Sequence, residues 1–178
     1  YDVIVSNDKS KIISATHIIL PGVGSFGAAM KKIKSQIPLA DLEVEIIQKK
    51  KPFLGICVGM QVLGKKGYEH GEHDGLNWVS GLVEKLEVDH SPLPHIGWND
   101  IILKKDSDLF RDLDNIKDFY FSHSFSLKTN KEYIISETNY ENKFCSSLQK
   151  ENIYGVQFHP EKSQKAGQKL IYNFLNIS

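Results

Sequence analysis

The chain has 178 residues, equal numbers of basic and acidic side chains (22 each) and therefore a formal net charge of zero. A chain of this length is expected to form one domain with a full core, and the balanced charge does not favour binding to nucleic acid or to a membrane surface. It contains no apolar stretch that would cross a membrane and no secretory signal. Its two cysteines, Cys57 and Cys145, indicate a reducing, cytoplasmic compartment rather than a disulfide scaffold.

Short apolar runs alternate with amphipathic segments in the first third of the chain. Strands are predicted at residues 3–5 and 18–20, and a further apolar run covers residues 52–56. Apolar residues three and four apart predict helices over residues 26–37 and 38–46. This alternation predicts an α/β protein with a mostly parallel central sheet flanked by helices, and residues 1–178 as a single domain.

A cysteine flanked by glycines follows the third of these apolar runs. Gly55, Cys57 and Gly59 have the spacing G-x-C-x-G, the cysteine counterpart of the elbow that presents a nucleophile at the end of a sheet. The amide groups at the start of the following helix are expected to favour the thiolate. A buried cysteine that simply ends a core strand is the alternative, and the glycines weigh against it.

A glycine-rich loop, PGVGSFG, follows the second predicted strand. It lacks both G-x-G-x-x-G and the Walker lysine, so it gives little support to a nucleotide site. An ordinary turn and a nest of amide groups for an anion or oxyanion both stay open.

The polar stretch at residues 68–77 contains four candidate metal ligands, His70, Glu72, His73 and Asp74. Their spacing matches no ligand motif, so we predict a loop and no metal.

The second half of the chain is predicted to form shorter strands. They cover residues 82–88, 101–103, 119–121 and 133–137, and a hairpin follows over residues 144–158. These strands predict an antiparallel β section added to the central sheet. Cys145 is expected to be packed within the hairpin. A last amphipathic helix is predicted after Ser163, which is a candidate N-cap.

Two side chains in this half have an open role. Trp98 lies between glycine and asparagine in HIGWN and either caps the core or forms a contact surface. His123, in FSHSF, is either a second base or, as we expect, a structural histidine.

A histidine and a carboxylate follow the hairpin in the segment His159-Pro160-Glu161. With Cys57 they are the groups needed for nucleophilic catalysis: the cysteine attacks a carbonyl, His159 moves the proton, and Glu161 holds the imidazole tautomer. The oxyanion would need amide donors, for which Val58 and the loop residues 22–24 are candidates.

At this point the motifs resemble a family. ILPGVGSFGAAM, GICVGMQ, HIGWND, FYFSHSF and GVQFHPEKS occur in order over nearly the whole chain. Together they are similar to class I (triad-type) glutamine amidotransferases, and among these to the glutaminase subunits of imidazole glycerol phosphate synthases of histidine biosynthesis. The resemblance implies hydrolysis of L-glutamine to glutamate and ammonia through a γ-glutamyl thioester, without a cofactor.

The family's residue roles carry over to matching positions. The resemblance implies a triad of Cys57, His159 and Glu161, and an oxyanion site formed by Val58 with Gly22, Val23 and Gly24. The positions that hold glutamine in the family correspond to Gly22, Gly24, Gln61, Glu69, His123, Ser124 and Phe125.

The family also implies a partner. Its members pass ammonia, unreleased, to a (β/α)₈ cyclase, and they contact that cyclase at positions equivalent to Trp98, Asn99 and Lys162. Two departures stand out. Family members usually begin about one βα unit earlier, so that unit is expected to be absent here, and Val58 replaces a more usual leucine.

Three other interpretations stay open. The same glutaminase chemistry could supply a synthase that amidates sugars for surface polysaccharides, because the partner sets the acceptor. The chain could be a non-catalytic regulator, which the intact Cys, His and Glu set disfavours. It could also be a stand-alone cysteine hydrolase, such as a peptidase or γ-glutamyl hydrolase, which Gln61 and the HIGWN segment disfavour.

Overall fold

The computed structural model describes residues 1–113 and 118–177. Five α-helices are present in this part of the chain: Lys9–Ser14 (α1), Phe26–Gln36 (α2), Leu39–Glu43 (α3), Val58–Gln61 (α4) and Gln164–Phe174 (α5). A π-helical turn, Val44–Gln48, continues α3, and 3₁₀ turns cover Asp108–Phe110, Lys131–Tyr133 and Pro160–Lys162.

Twelve strands are present in the same residues. They are Ile18–Gly22 (β1), Phe53–Cys57 (β2), Lys66–Gly67 (β3), His73–Asp74 (β4), Gly81–Lys85 (β5), His95–Asp100 (β6), Ile102–Leu103 (β7), Asp118–His123 (β8), Phe125–Thr129 (β9), Ile134–Tyr140 (β10), Asn142–Lys150 (β11) and Ile153–Val156 (β12).

The largest sheet has the order β1-β2-β12-β11-β10-β7. The predicted α/β class and the hairpin of β11 and β12 are confirmed, but the sheet is mixed rather than mostly parallel. Only β1–β2 and β2–β12 pair in parallel, whereas β12–β11, β11–β10 and β10–β7 are antiparallel. The reason is local, because short turns join β10, β11 and β12, and a short turn reverses the chain direction.

The antiparallel section predicted from the short strands is also present. One additional sheet has the order β4-β3-β5-β9, and β6 pairs with β8 in a two-stranded ribbon. In this ribbon His95 lies opposite His123 and Trp98 lies opposite Tyr120. The ribbon thus connects the Trp98 segment to the strand that ends at His123.

The strand predicted at residues 3–5 is wrong. Val3, Ile4 and Val5 are in no strand of the structure, and Val5 is 99% exposed. A strand needs a neighbour for its backbone N–H and C=O groups, and none of the described strands pairs with this segment.

The predicted amphipathic helices are confirmed. Helix α2 buries Phe26, Met30 and Ile33, and α5 buries Ala166, Leu170 and Phe174. These faces pack into one hydrophobic core with strands β2 and β12. Ser163 precedes α5 as predicted, but its hydroxyl donates to the His159 carbonyl at 2.7 Å instead of capping the helix. No helix in residues 1–113 and 118–177 has the length and apolar character of a membrane span.

Candidate active site

The ends of three parallel strands bring the predicted catalytic segments together. Gly22 at the end of β1 is in register with Cys57 at the end of β2. Ile56 is in register with Val156, the last residue of β12, and His159 follows three residues later. The glycine-rich loop, the cysteine and the histidine therefore leave the same edge of the sheet, where parallel strands commonly build their sites.

The sharp turn predicted at Cys57 is present. The backbone of Cys57 has φ 53° and ψ −112°, a combination that costs a non-glycine residue on the order of 1–3 kcal/mol. Close packing holds it there: a Cβ added at Gly59 would lie 1.9 Å from the Leu20 carbonyl oxygen, and one at Gly55 would lie 2.4 Å from the Gly59 oxygen. Both glycines are thus required for the first turn of α4 to sit on β1 and β2.

The surroundings of Cys57 favour the neutral thiol, whereas the sequence predicted the thiolate. Its side chain is buried, and burial raises the pKa of the thiol to about 11. The Val58 amide and the Gln157 side chain lower this pKa, whereas the carboxylate of Glu161 raises it further. The prediction failed because α4 has a single turn, whose dipole is small compared with the loss of hydration.

His159 is held firmly by its neighbours. Its Nδ1 lies 2.7 Å from Oε1 of Glu161, and its backbone N–H donates to the Tyr120 carbonyl at 2.8 Å. A carboxylate at this distance fixes the proton on Nδ1 and leaves Nε2 free to accept one. The ring is buried while the Glu161 carboxylate is largely exposed.

The sulfur of Cys57 is hydrogen-bonded within the described residues by one side chain, Gln157, whose Nε2 lies 3.7 Å away. No hydrogen bond joins it to His159 in that part of the chain. Both residues nevertheless lie close to the same carboxylate. Glu161 is hydrogen-bonded to His159, and Glu161 and Lys162 both act on the pKa of the Cys57 thiol.

Of the predicted oxyanion residues, Val58 directly follows Cys57 in the chain, and Gly22 is the register partner of Cys57 on β1. Val58 begins α4, and its amide acts on the Cys57 sulfur. In the loop, Gly24 has φ +90°, a conformation that favours glycine, and Val23 is 81% exposed.

Three of the predicted glutamine-binding residues converge on one carbonyl. The carbonyl oxygen of Phe125 accepts hydrogen bonds from Gln61 Nε2 at 2.8 Å and from His123 Nδ1 at 2.9 Å. Gln61 Nε2 also donates to Gln157 Oε1 at 3.0 Å. The backbone carbonyl of Ser124 accepts from the Leu86 amide at 2.9 Å.

Glu69 lies on a different element. Its Oε2 accepts a 2.8 Å hydrogen bond from the Phe26 amide, the first amide of α2. It ties the polar segment after β3 to that helix. A cavity of about 400 Å³ lies beside this segment and is lined by Tyr68, Glu84, Lys85 and Phe125.

The polar segment itself shows no arrangement of ligands for a metal. Across residues 1–113 and 118–177, no three His, Cys, Asp or Glu side chains are grouped so as to hold one.

Two of the three predicted partner-contact residues, Trp98 and Lys162, lie against Tyr120 on the outer face of the β6–β8 ribbon, whereas the Asn99 side chain points to the inner face with His95. Trp98 is 48% exposed and packs edge-on against Tyr120, with ring centroids 6.2 Å apart. Lys162 Nζ lies 5.4 Å from the centre of the same Tyr120 ring. Asn99 is half-buried and donates to the Asn139 carbonyl at 2.9 Å.

The sequence argument missed Gln157 and Tyr120. Gln157 follows β12 and joins the Cys57 sulfur to Gln61, while Tyr120 binds His159 through its backbone and Trp98 through its ring. Both residues lie within motifs quoted for the resemblance, GVQFHPEKS and FYFSHSF, but neither was given a role. The role of Gln157 depends on strand register, which the sequence does not reveal.

Residues 2–177 match the family model of the class-I glutamine amidotransferases. The chain belongs to this family. Solved structures agree on the fold: a putative GMP synthase protein from Thermoplasma acidophilum superposes with a TM-score of 0.68 at 19% identity, covering 94% of this chain and 75% of that one. PurLQS from Thermotoga maritima superposes with a TM-score of 0.65 at 18% identity, covering 90% and 79%.

Similar relatives in sequence include HisH subunits of imidazole glycerol phosphate synthases. Imidazole glycerol phosphate synthase subunit HisH 1 of Campylobacter jejuni RM1221 is 42% identical over 174 residues, covering 97% of this chain and 87% of the relative. The HisH subunit of Vibrio parahaemolyticus is 43% identical, covering 99% and 87%. The HisH subunit of Aquifex aeolicus is 44% identical, covering 97% and 83%.

Proposed function

We propose that this chain is the glutaminase subunit of an imidazole glycerol phosphate synthase. It hydrolyses L-glutamine to glutamate and delivers the ammonia to a (β/α)₈ cyclase in histidine biosynthesis. The observation that supports this most directly is the shared strand edge, where Cys57 lies in register with Gly22 and one strand away from the His159–Glu161 pair. The HisH names of the relatives support the choice of acceptor.

The neutral thiol determines the first chemical step. Because the pKa of Cys57 is about 11, the sulfur must lose its proton as it attacks the γ-carboxamide carbon of glutamine. Nε2 of His159 takes this proton, and Glu161 at 2.7 Å stabilises the resulting imidazolium. The sulfur–proton contact forms in the substrate complex, since such contacts are often loose before substrate binds.

Attack by the sulfur gives a tetrahedral intermediate, and its breakdown divides the reaction into two halves. Its oxyanion is stabilised by the Val58 amide and by amides of Val23 and Gly24, and loss of one such donor costs about 3 kcal/mol of barrier. His159 returns the proton to the amide nitrogen, which leaves as ammonia and forms a thioester on Cys57. Water activated by His159 then attacks the thioester, releases glutamate and restores the thiol.

The glutamine site is formed around the Phe125 carbonyl. Gln61, His123 and Phe125 are already joined there, and Gly22, Gly24, Glu69 and Ser124 complete the set that the family pattern assigns. The cavity beside Phe125 and Tyr68 adjoins this group.

The cyclase is proposed to dock on the face that carries Trp98 and Lys162, with Asn99 at the neighbouring position of β6. An exposed tryptophan beside a lysine and a second exposed apolar side chain, Ile96, resembles the centre of a protein interface more than an ordinary surface. A cytoplasmic location fits the two unpaired cysteines.

The test of the proposed function is Cys57→Ala. We expect it to reduce glutamate release from glutamine by roughly a thousandfold or more, because the covalent intermediate can no longer form. The assay is run on the chain with its cyclase and the cyclase's nucleotide ligand. The matched control is Cys145→Ala, which removes the other buried thiol and should retain turnover close to that of the wild type.

Two results would contradict the proposal. Retained glutaminase activity in Cys57→Ala would reject the nucleophile. Failure of the (β/α)₈ cyclase to raise glutamine turnover of the wild type would reject the assigned partner.

A further inference from the structure

Two buried histidines lie opposite each other in the β6–β8 ribbon, with their rings edge-on, and the proposed chemistry uses neither as a base. His95 Nδ1 lies 3.2 Å from His123 Nε2. Both rings are buried among aromatic side chains: His95 stacks on Phe121 and Tyr140, and His123 packs edge-on against Phe144. Buried imidazole is a poor choice for packing alone, because its polar atoms must each find a partner.

The Phe125 carbonyl, at one end of this cluster, determines which atoms donate the hydrogen bonds. A carbonyl oxygen only accepts, so His123 must carry its proton on Nδ1, 2.9 Å from the Phe125 oxygen. Burial lowers the pKa of both imidazoles, so each ring is neutral; Nε2 of His123 then accepts, which requires His95 to donate from Nδ1. Nε2 of His95 is left to accept from the Asn99 amide at 3.2 Å. Both neutral rings therefore carry their proton on Nδ1.

The chain of hydrogen bonds continues at both ends. At one end, Asn99 lies on β6 next to Trp98, the exposed side chain of the proposed docking face. At the other end, the Phe125 carbonyl also holds Gln61. Gln61 donates to Gln157, which in turn donates to the Cys57 sulfur at 3.7 Å.

We propose that His95 and His123 are positioning residues: through the Phe125 carbonyl they hold Gln61 and Gln157 in place beside Cys57, in register with strand β6. This inference rests on the proposed glutaminase function. It assigns a task to two side chains that touch no reacting atom. A shift of β6 on docking would reach the glutamine site through four side chains and one carbonyl.

The test compares His95→Phe with His95→Gln. Phenylalanine keeps the stacking on Phe121 and Tyr140 but removes both hydrogen bonds, whereas glutamine can still donate to His123 and accept from Asn99. We expect His95→Phe to raise the KM for glutamine roughly tenfold, with a smaller change in kcat, because side chains that hold the substrate are displaced. His95→Gln should recover most of this loss.

Two alkylating probes separate substrate positioning from thiol reactivity. The diazoketone analogue of glutamine should label Cys57 more weakly in His95→Phe, through a higher half-saturation concentration. Iodoacetamide, which needs no glutamine site, should label the buried Cys57 slowly in both proteins, and its rates in the wild type and in His95→Phe should differ far less than those of the analogue. The control is His17→Phe, since His17 is a half-buried histidine that bonds the Ile177 carbonyl and packs on Phe174 in another region. It should match the wild type in both assays.

Three results would overturn the inference. One is an unchanged KM in His95→Phe, and another is equal loss in His95→Phe and His95→Gln, which would mean a packing role only. The third can be obtained even if the variants fold poorly. Nitrogen-15 NMR of the wild-type imidazoles should show both protons on Nδ1, and a proton on Nε2 of either ring would contradict the chain of hydrogen bonds. A wild type that neither hydrolyses glutamine nor reacts with the analogue would instead refute the proposed function.

Discussion

Cys57 has a strained backbone, and its surroundings disfavour loss of the thiol proton. Its φ of 53° lies in the left-handed region, and burial raises the pKa of its thiol to about 11. Neither feature stabilises the folded protein. The strained turn places the sulfur at the end of β2, and the raised pKa means that a base, His159, has to remove its proton. This combination is typical of a position set by function rather than by stability.

The strain leads to a prediction about stability. Glycine adopts positive φ without a steric cost, so Cys57→Gly should be at least as stable as Cys57→Ala, although glycine usually costs about 0.5–1 kcal/mol relative to alanine. Urea unfolding of both variants measures the difference. Cys145 is the control: it lies in strand β11 and is not among the residues with positive φ, so glycine there should be less stable than alanine. A markedly less stable Cys57→Gly would mean that the turn is not strained.

At the scale of single residues, the sequence predicted which residue types lie together at the site but not which hydrogen bonds join them. The G-x-C-x-G spacing predicted the turn at Cys57 correctly. The protonation state was wrong, because burial cannot be judged from one helix start. Gln157 and the His95–His123 pair went unrecognised, since their roles follow from the register of β2 with β12 and of β6 with β8.

Strand β6 is the element that connects the proposed docking face to the interior. Its side chains alternate: His95 points into the core, whereas Ile96 and Trp98 are exposed. Alternation of this kind lets one strand serve two surfaces, with every second residue directed inward.

Trp98→Ala should therefore weaken the complex with the cyclase while leaving the fold intact. Loss of a central interface tryptophan typically costs about 2 kcal/mol or more, which corresponds to roughly a thirtyfold weaker Kd. Calorimetry of the purified subunits measures it. Tyr172→Ala is the control, because Tyr172 is an equally exposed aromatic on α5, outside the proposed face. Unchanged binding of Trp98→Ala would place the cyclase elsewhere.

Among the elements, the periodic helices were predictable and the apolar segment at residues 3–5 was not. Helix α2 can be read from spacing alone, since its buried face is set by residues within the helix. A strand depends on a partner that can lie anywhere in the chain, so an apolar run such as Val3–Ile4–Val5 does not by itself define one. The mixed direction of the sheet escaped for the same reason.

The buried histidine pair should make the stability of the whole molecule sensitive to acid. Burial lowers the pKa of His95 to about 4 and that of His123 to about 3, against about 6.5 for an exposed histidine. Between these values the unfolded chain binds more protons than the folded one. Stability is therefore full above pH 6.5 and is lost as the pH falls towards 4.

The expected size of this effect can be checked by urea unfolding. From pH 7.5 to pH 5.5, each histidine should remove about 1.4 kcal/mol from the free energy of unfolding, and the pair about 3 kcal/mol. The variant with both His95→Phe and His123→Phe should lack this part of the pH dependence, while the other five histidines contribute to both proteins alike. Parallel stability curves for the two proteins would show that the rings titrate normally.

The burial of Cys57 also bears on how the protein survives oxidants. Peroxides oxidise cysteine through its thiolate. A thiol that is only 4% exposed and neutral at physiological pH therefore reacts with them slowly. The sulfur would become vulnerable mainly during turnover, when substrate already covers it. A protein idling without glutamine should thus retain its thiol far longer than an exposed, low-pKa cysteine would.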